Sequence, residues 1–134
     1  KLVFTNGVFD ILHRGHVDYL AKAAPFGDLL IVGLNSDASV RRLKGKKRPI
    51  QTERDRAAVL LALRVVDHVV LFSQDTPARL IEKIRPDVLV KGADYGMSEI
   101  VGAGFVRSYG GKVRRVRLTP GRSTTSILRK AGLK

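Results

Sequence analysis

The sequence predicts an α/β fold in one domain covering residues 1–134, built on a doubly wound sheet of five parallel strands. The length of 134 residues is typical of a domain with one hydrophobic core. Short apolar runs alternate along the chain with segments whose apolar residues recur at helical spacing. No internal repeat, low-complexity tract or long linker interrupts this alternation. Such alternation favours a parallel sheet covered by helices on both faces through right-handed crossovers.

The first predicted strand and helix flank a polar loop. The apolar residues 2–4 form the strand, which ends where Asn6-Gly7 breaks the pattern. A helix is expected from about Gly15 onward. Its expected core face consists of Val17, Leu20, Ala21 and Ala24.

A second strand and two capped helices come next. The strand is the apolar run at residues 29–34. Ser36 or Asp37 caps a helix that ends at Leu43, and Thr52 caps one that ends near Leu63. These residue types are typical of helix starts because their side-chain oxygens accept hydrogen bonds from free backbone N–H groups.

The second half of the chain repeats the alternation. Pro77 favours a helix start because its ring presets the backbone of a first turn, and Gly110-Gly111 favours a helix end. The expected elements are a strand at 69–72, a helix from Thr76-Pro77 to 84, a strand at 87–91, a helix capped by Ser98 through 106, a strand at 112–118 and a helix starting at Ser123.

The net charge of +13 makes nucleic acid or polyphosphate the natural partner classes. Six of the eight residues at 41–48 are basic. A second basic group consists of Arg107, Lys112, Arg114, Arg115 and Arg117. Four of the phenylalanines, Phe4, Phe9, Phe72 and Phe105, have apolar neighbours and fit a core better than a base-stacking surface. The pattern therefore favours polyphosphate, with a solvated basic face as the alternative for the second group.

The composition also indicates the cellular compartment in which the protein works. The chain has no cysteine, which excludes disulfides and thiolate metal sites and suits a reducing cytoplasm. No apolar run is long enough to cross a bilayer. The chain starts without a Met or a signal-peptide pattern, so it is expected to be processed, trimmed or cut from a longer protein.

The strongest candidate site follows the first strand. Asn6, Gly7, Asp10, His13, Gly15 and His16 lie within eleven positions, directly before a helix. A helix amino terminus presents free N–H groups and the positive end of the helix dipole, so it binds phosphate well. Two histidines also suit zinc, but a third close ligand other than Asp10 is missing. Phosphate binding is the preferred interpretation.

Residues 6–10 followed by His13-Arg14-Gly15-His16 resemble the HxGH signature of the cytidylyltransferase-like nucleotidyltransferase superfamily. Further segments, across nearly the whole chain, are similar to the branch whose adenylyltransferase domain makes ADP-heptose. These segments are residues 32–37, 42–45, 48–49, 90–95 and 121–127. The resemblance implies a Rossmann-like nucleotidyltransferase fold. In many bacteria that domain is fused behind a sugar kinase, so this chain is expected to be a free-standing form or part of a longer protein.

The resemblance also implies roles for individual residues. His13 and His16 are expected to hydrogen-bond the α- and β-phosphates, and Lys44, beside Lys46 in a mobile basic loop, to close over the triphosphate. The implied nucleotide-binding residues are Thr5, Asn6, Gly7, Phe9, Gly15, Lys91, Gly92, Arg122, Ser123, Thr124 and Thr125. The implied substrate-binding residues are Asp10, Asp37 and Asp94, of which the first two are also candidates for holding a hydrated Mg²⁺. No metal ligand is assigned.

The function implied is transfer of AMP from ATP to a heptose 1-phosphate, which releases pyrophosphate and forms ADP-heptose for bacterial lipopolysaccharide or capsule. Sister families use CTP with glycerol phosphate or phosphoethanolamine, or ATP with pantetheine phosphate or flavin mononucleotide, and they remain alternatives. An alternative of another class is a basic nucleic-acid-binding module that has kept the fold and lost turnover. The intact pair His13 and His16 argues against it. The resemblance further implies a homodimer. The charge distribution predicts no nucleic-acid partner, and the short apolar runs predict no membrane partner.

Overall fold

The structure, a computed structural model, describes residues 1–132 of the chain. Its strands and α-helices alternate almost throughout. In order they are β1 (Leu2–Gly7), α1 (Arg14–Ala23), β2 (Leu29–Asn35), α2 (Asp37–Lys44), α3 (Glu53–Leu61), β3 (His68–Phe72), α4 (Ala78–Ile84), β4 (Val88–Gly92), α5 (Ala103–Ser108), β5 (Lys112–Val116) and α6 (Thr124–Lys130). Two 3₁₀ turns, Ala24–Phe26 and Met97–Glu99, complete the described elements.

The five strands form one sheet in the order β3-β2-β1-β4-β5, and every neighbouring pair is parallel. The predicted doubly wound fold is therefore confirmed. The chain moves outward from β1 to β3 and then returns to place β4 on the other side of β1. The order thus reverses between β1 and β4, and ligands of such sheets bind beyond the carboxyl ends of the strands at this point.

The core has two layers because a parallel sheet buries both of its faces. On one face, Val3 of β1 packs with Leu20 of α1 and Leu60 of α3. On the other face, Phe4 packs with Ile81 of α4 and Val106 of α5. Successive side chains of β1 therefore point into opposite layers.

The predicted N-terminal caps are confirmed for three helices, α2, α3 and α6. The hydroxyl of Ser36, rather than Asp37, accepts from the N–H of Ser39 at 3.2 Å. Thr52 caps α3 and Ser123 caps α6 in the same way. These hydroxyls satisfy N–H groups that the first helical turn leaves without a partner.

Two predictions about helices are wrong. Ser98 does not cap α5, because residues 97–99 form a separate 3₁₀ turn and α5 begins after Gly102, whose φ of 88° suits glycine. On α1, Val17 is 41% exposed and Ala21 is exposed, while Leu20 and Ala23 are buried. The inner side of the helix also carries Tyr19, whose hydroxyl pairs with Thr5 and donates to the Val90 carbonyl.

Strand and helix ends also differ from the predicted ones. The strand β1 continues to Gly7 because its last residues pair with β2, whereas β5 stops at Val116 and α3 at Leu61. The edge strand β5 carries most of the second basic group. Charged side chains on an edge strand oppose its pairing with other chains, which accounts for this group without a ligand.

Candidate active site

A cleft of about 620 Å³ lies beyond the carboxyl ends of the strands. It is lined by the ends of both β1 and β4, so it sits where the strand order reverses. Most of the predicted site residues line it, namely Asn6, Gly7, Phe9, Asp10, His13, Gly15, His16, Lys44, Lys91, Gly92, Asp94, Arg122, Ser123, Thr124 and Thr125. The fold therefore brings together segments that are more than a hundred positions apart in sequence.

The two histidines form the start of α1. Nδ1 of His13 accepts from the Gly15 N–H at 3.1 Å, and Nδ1 of His16 accepts from the His13 N–H at 3.3 Å. The rings stack with their centroids 3.8 Å apart. Because each Nδ1 accepts a hydrogen bond, each neutral ring carries its proton on Nε2. The pair thus offers two Nε2–H donors at a helix amino terminus.

Burial favours the neutral form of both imidazoles. Desolvation lowers the pKa of His13. Burial and the neighbouring His13 together lower the pKa of His16 to about 4, against a smaller opposite effect of the Ile11 carbonyl. The Phe9 ring contributes to this burial by packing edge-on against the His16 ring at 5.1 Å between centroids. Neutral donors can hydrogen-bond phosphate oxygens without a prior proton uptake.

The start of α6 meets the start of α1 across the cleft. The Thr124 hydroxyl is 3.4 Å from the Ile11 carbonyl, to which it donates. A Cβ atom on Gly15 would lie 2.8 Å from the His13 ring and 3.1 Å from Cβ of Arg122, so a larger residue would push the two helix starts apart or displace the ring. Ser123 and Thr125 also line the cleft. Two helix starts therefore face one space, as expected for a polyphosphate site.

Asp10 is buried, and both of its carboxylate oxygens accept hydrogen bonds from protein groups. Its carboxylate accepts from the Arg48 guanidinium at 3.0 Å and from the N–H groups of Ile50 and Gln51 at 2.8 Å and 2.9 Å. Burial alone would raise the pKa of Asp10, but the hydrogen bonds from Gln51, Ile50 and Arg48 outweigh burial and lower it. The side chain joins the histidine loop to the segment before α3, an arrangement that the sequence does not reveal.

Two predicted site residues do not line the cleft. Thr5 is fully buried, and its hydroxyl pairs with Tyr19 at 2.7 Å. The Asp37 carboxylate accepts from the buried guanidinium of Arg56 at 2.8 Å. Both positions serve protein contacts in this structure, and neither presents a side chain to the cleft.

The basic segment at 41–48 is partly helical. Residues 41–44 form the last turn of α2, so only residues 45–48 lie in the turn beyond it. Lys44 and Arg48 line the cleft. Arg42 instead bonds the Asp75 carboxylate at 3.0 Å and the Ser73 carbonyl. These contacts tie the end of α2 to the loop after β3.

The β4 side of the cleft carries a basic side chain of its own. Lys91 lies over the Tyr95 ring, with Nζ 5.0 Å from the ring centroid. Burial lowers the pKa of Lys91, and the nearby Asp94 partly opposes this effect. Sequence reasoning missed Tyr19, Arg48 and Tyr95, which also line the cleft. Arg48 and Tyr95 had a signal, because they lie in the segments at 48–49 and 90–95 that carry the family resemblance, whereas Tyr19 had none.

The protein supplies few ligands for a metal ion. Within residues 1–132, no group of three His, Asp or Glu side chains is placed to hold one. Asp10 already accepts four hydrogen-bond contacts from protein donors. Magnesium commonly binds through substrate phosphates and water, so the residues present fit Mg²⁺ only as a companion of a nucleotide.

The sheet topology and the histidine pair at the switch point match the nucleotidyltransferase fold that the sequence predicts. A family model described as Cytidylyltransferase-like matches residues 4–129, and the chain belongs to this family. No helix among the described residues has the length and apolar character needed to span a membrane.

Several known proteins are similar over nearly the whole chain. The bifunctional protein HldE of Geotalea uraniireducens is 61% identical over 97% of this chain and 26% of that protein. The protein of the same name from Campylobacter curvus is 60% identical over 97% of this chain and 27% of that protein. The chain thus spans about a quarter of the length of these relatives.

Solved structures show the same fold. The lipopolysaccharide core biosynthesis protein of Thermoplasma volcanium is 33% identical, with a TM-score of 0.71 over 88% of this chain and 95% of that chain. The pantothenate synthetase of Thermus thermophilus is 20% identical, with a TM-score of 0.58 over 87% of this chain and 55% of that chain, a likeness of fold alone.

Proposed function

We propose that this domain transfers AMP from ATP to a heptose 1-phosphate and releases pyrophosphate. The product, ADP-heptose, would serve bacterial lipopolysaccharide or capsule synthesis. The observation that carries the proposal is the stacked pair His13 and His16, which lines a cleft shared with the start of α6. The similarity to the HldE proteins, together with the ADP-heptose branch that the sequence motifs resemble, supports the choice of substrates.

The reaction needs positioning more than acid or base chemistry. A phosphate oxygen of the sugar phosphate attacks the α-phosphorus of ATP, and the bond from that phosphorus to the pyrophosphate oxygen breaks. The attacking phosphate is already an anion, so no residue has to remove a proton. His13 and His16 stabilise the negative charge on the phosphate oxygens in the transition state. Lys44 adds positive charge at the cleft when the basic turn closes.

The remaining cleft residues bind the two substrates. Asn6, Gly7, Gly15 and the α6 start are proposed to hold the nucleotide phosphates, and Lys91 with Asp94 the nucleoside or sugar. When bound with ATP, Mg²⁺ would neutralise phosphate charge. Because its carboxylate is saturated by protein donors, Asp10 is better placed to hold the loops than to bind a sugar hydroxyl.

Pyrophosphate release tests the proposal directly. The protein would be assayed with ATP or CTP, each combined with heptose 1-phosphate, glycerol phosphate or pantetheine phosphate. We expect turnover with ATP and heptose 1-phosphate, and loss of that turnover in a His13→Asn variant that keeps the helix cap. Turnover only with CTP or with another acceptor would replace the substrate assignment. No turnover with any pair would overturn the enzymatic proposal.

A cytoplasmic homodimer completes the proposal. The cytoplasm supplies ATP, and a chain without cysteine needs no oxidising compartment. The edge strand β3 exposes Leu71, and the neighbouring helix α3 exposes Val59 and Leu61, which supports a dimer through this side. Sedimentation of the wild-type protein and a Leu71→Lys variant would test it. A monomeric wild type would contradict the proposal.

A further inference from the structure

Arg56 of α3 is a buried arginine with an unusual set of partners. Its side chain is 0% exposed, which is rare for a residue whose charge always persists. Nη1 donates to the carbonyls of Val8 and Asn35, both at 2.8 Å. Nε donates to the Gln51 carbonyl at 3.0 Å, and Nη2 to the Asp37 carboxylate at 2.8 Å. One guanidinium therefore satisfies four acceptors.

These acceptors belong to three different segments that border the cleft. Val8 lies in the loop that leads to the two histidines. Asn35 and Asp37 lie at the turn from β2 into α2, the helix that carries Lys44. Gln51 lies in the segment that joins the basic turn to α3. Arg56 itself does not line the cleft, but it links the segments that border the cleft to one another.

Asp10 reinforces the same connection from the other side. Its carboxylate accepts from Arg48, Ile50 and Gln51, which fixes the segment at 48–51 against the histidine loop. Gln51 thereby gives its N–H to Asp10 and its carbonyl to Arg56. The two side chains form one continuous hydrogen-bond network behind the cleft.

Burying an ion pair does not by itself stabilise a protein. A buried charge loses its hydration, and replacing a buried ion pair with well-packed apolar residues is often neutral or stabilising. An apolar side chain at position 56 would fill the space between α3 and the sheet. It would leave three backbone carbonyls of three cleft segments without a shared donor.

We infer that Arg56 is a positioning residue that holds the histidine loop and the Lys44-bearing helix in one fixed relation. This inference rests on the proposed nucleotidyl transfer. Because misplacing reacting groups by about 1 Å costs about 100-fold in rate, loss of this arginine lowers kcat more than it weakens nucleotide binding.

The test compares two arginines of the same helix. Arg56→Lys and Arg56→Met change the buried residue, and Arg54→Lys and Arg54→Met make the same changes at an exposed position. All four are measured at a temperature where thermal unfolding shows each protein to be folded. We expect the Arg54 variants to match the wild type. We expect kcat to fall at least about 10-fold in Arg56→Lys and about 100-fold in Arg56→Met, with the Kd for Mg-ATP changed less than about 3-fold.

Wild-type kcat in a folded Arg56→Met variant would overturn the inference and leave a purely structural residue. If neither Arg56 variant folds, amide exchange of the wild type decides. The N–H groups of Ile50 and Gln51 are expected to stay protected with and without Mg-ATP, and rapid exchange of both would overturn the inference. Absence of turnover in the wild type would defeat the proposed function separately, because the exchange measurement and the Mg-ATP affinities do not depend on turnover.

Discussion

We expect the histidine pair to make this protein less stable as the pH is lowered from neutral to mildly acidic. The folded-state pKa of His16 is about 4, against an ordinary value of 6.5. Between these two values the unfolded chain binds a proton that the folded chain excludes. Stability therefore decreases as the pH falls through this window, which is the sign for a histidine with a depressed pKa.

The size of the effect follows from the two pKa values. For a fully buried group they correspond to about 2.5 kcal/mol of unfolding free energy lost between about pH 7 and about pH 4.5. His16 is only partly buried, so solvent screening reduces the expected loss to about 2 kcal/mol. Other groups also titrate in this range, and a matched variant has to separate their effects.

His16→Gln is the appropriate variant. Glutamine at this position can still accept from the His13 N–H, as in a common capping box, so the helix start is kept. Urea unfolding of both proteins at several pH values gives the difference in their stability. We expect this difference to change by about 2 kcal/mol between about pH 7 and about pH 4.5, with the variant relatively more stable in acid. A difference that stays constant with pH would refute the lowered pKa of His16.

Further predictions concern the cleft and its charge. His13→Asn should change the free energy of unfolding by less than about 0.5 kcal/mol, because asparagine also accepts from the Gly15 N–H. The same variant should lower kcat about 100-fold or more. Urea unfolding measures the stability and pyrophosphate release measures kcat, and normal turnover would contradict the proposed role of this histidine. Asp10→Asn should destabilise the fold by about 3 kcal/mol, because a neutral amide replaces the buried carboxylate that pairs with Arg48 and accepts from two backbone N–H groups. A change in unfolding free energy below about 1 kcal/mol would contradict this. The amides of residues 45–47 should exchange more slowly once Mg-ATP binds, and equal exchange in both states would argue against gating by Lys44. Binding of duplex or single-stranded nucleic acid, measured by fluorescence anisotropy, should fade toward physiological salt while Mg-ATP binding persists; sequence-selective nucleic-acid binding that survives at this salt would favour a binding module.

Local signals in the chain were enough to predict the alternation of strands and helices. The apolar runs and the caps at Ser36, Thr52 and Ser123 act within a few residues, so their effects can be recognised without tertiary contacts. The start of α5 could not be found in this way. Ser98 fits a cap by type, but the Glu99 carboxylate takes the Gly96 N–H and closes a 3₁₀ turn there instead.

The sequence by itself determined the fold class and the histidine motif, because strand, helix and loop patterns are encoded over short spans. It did not determine which side of α1 faces inward. Nor did it determine that the carboxylates of Asp10 and Asp37 pair with Arg48 and Arg56. These pairings join residues 38 and 19 positions apart. Only the tertiary structure decided them, because a buried charge pairs with whichever group the packed segments bring within hydrogen-bond distance. That distance cannot be predicted from the spacing of the residues along the chain.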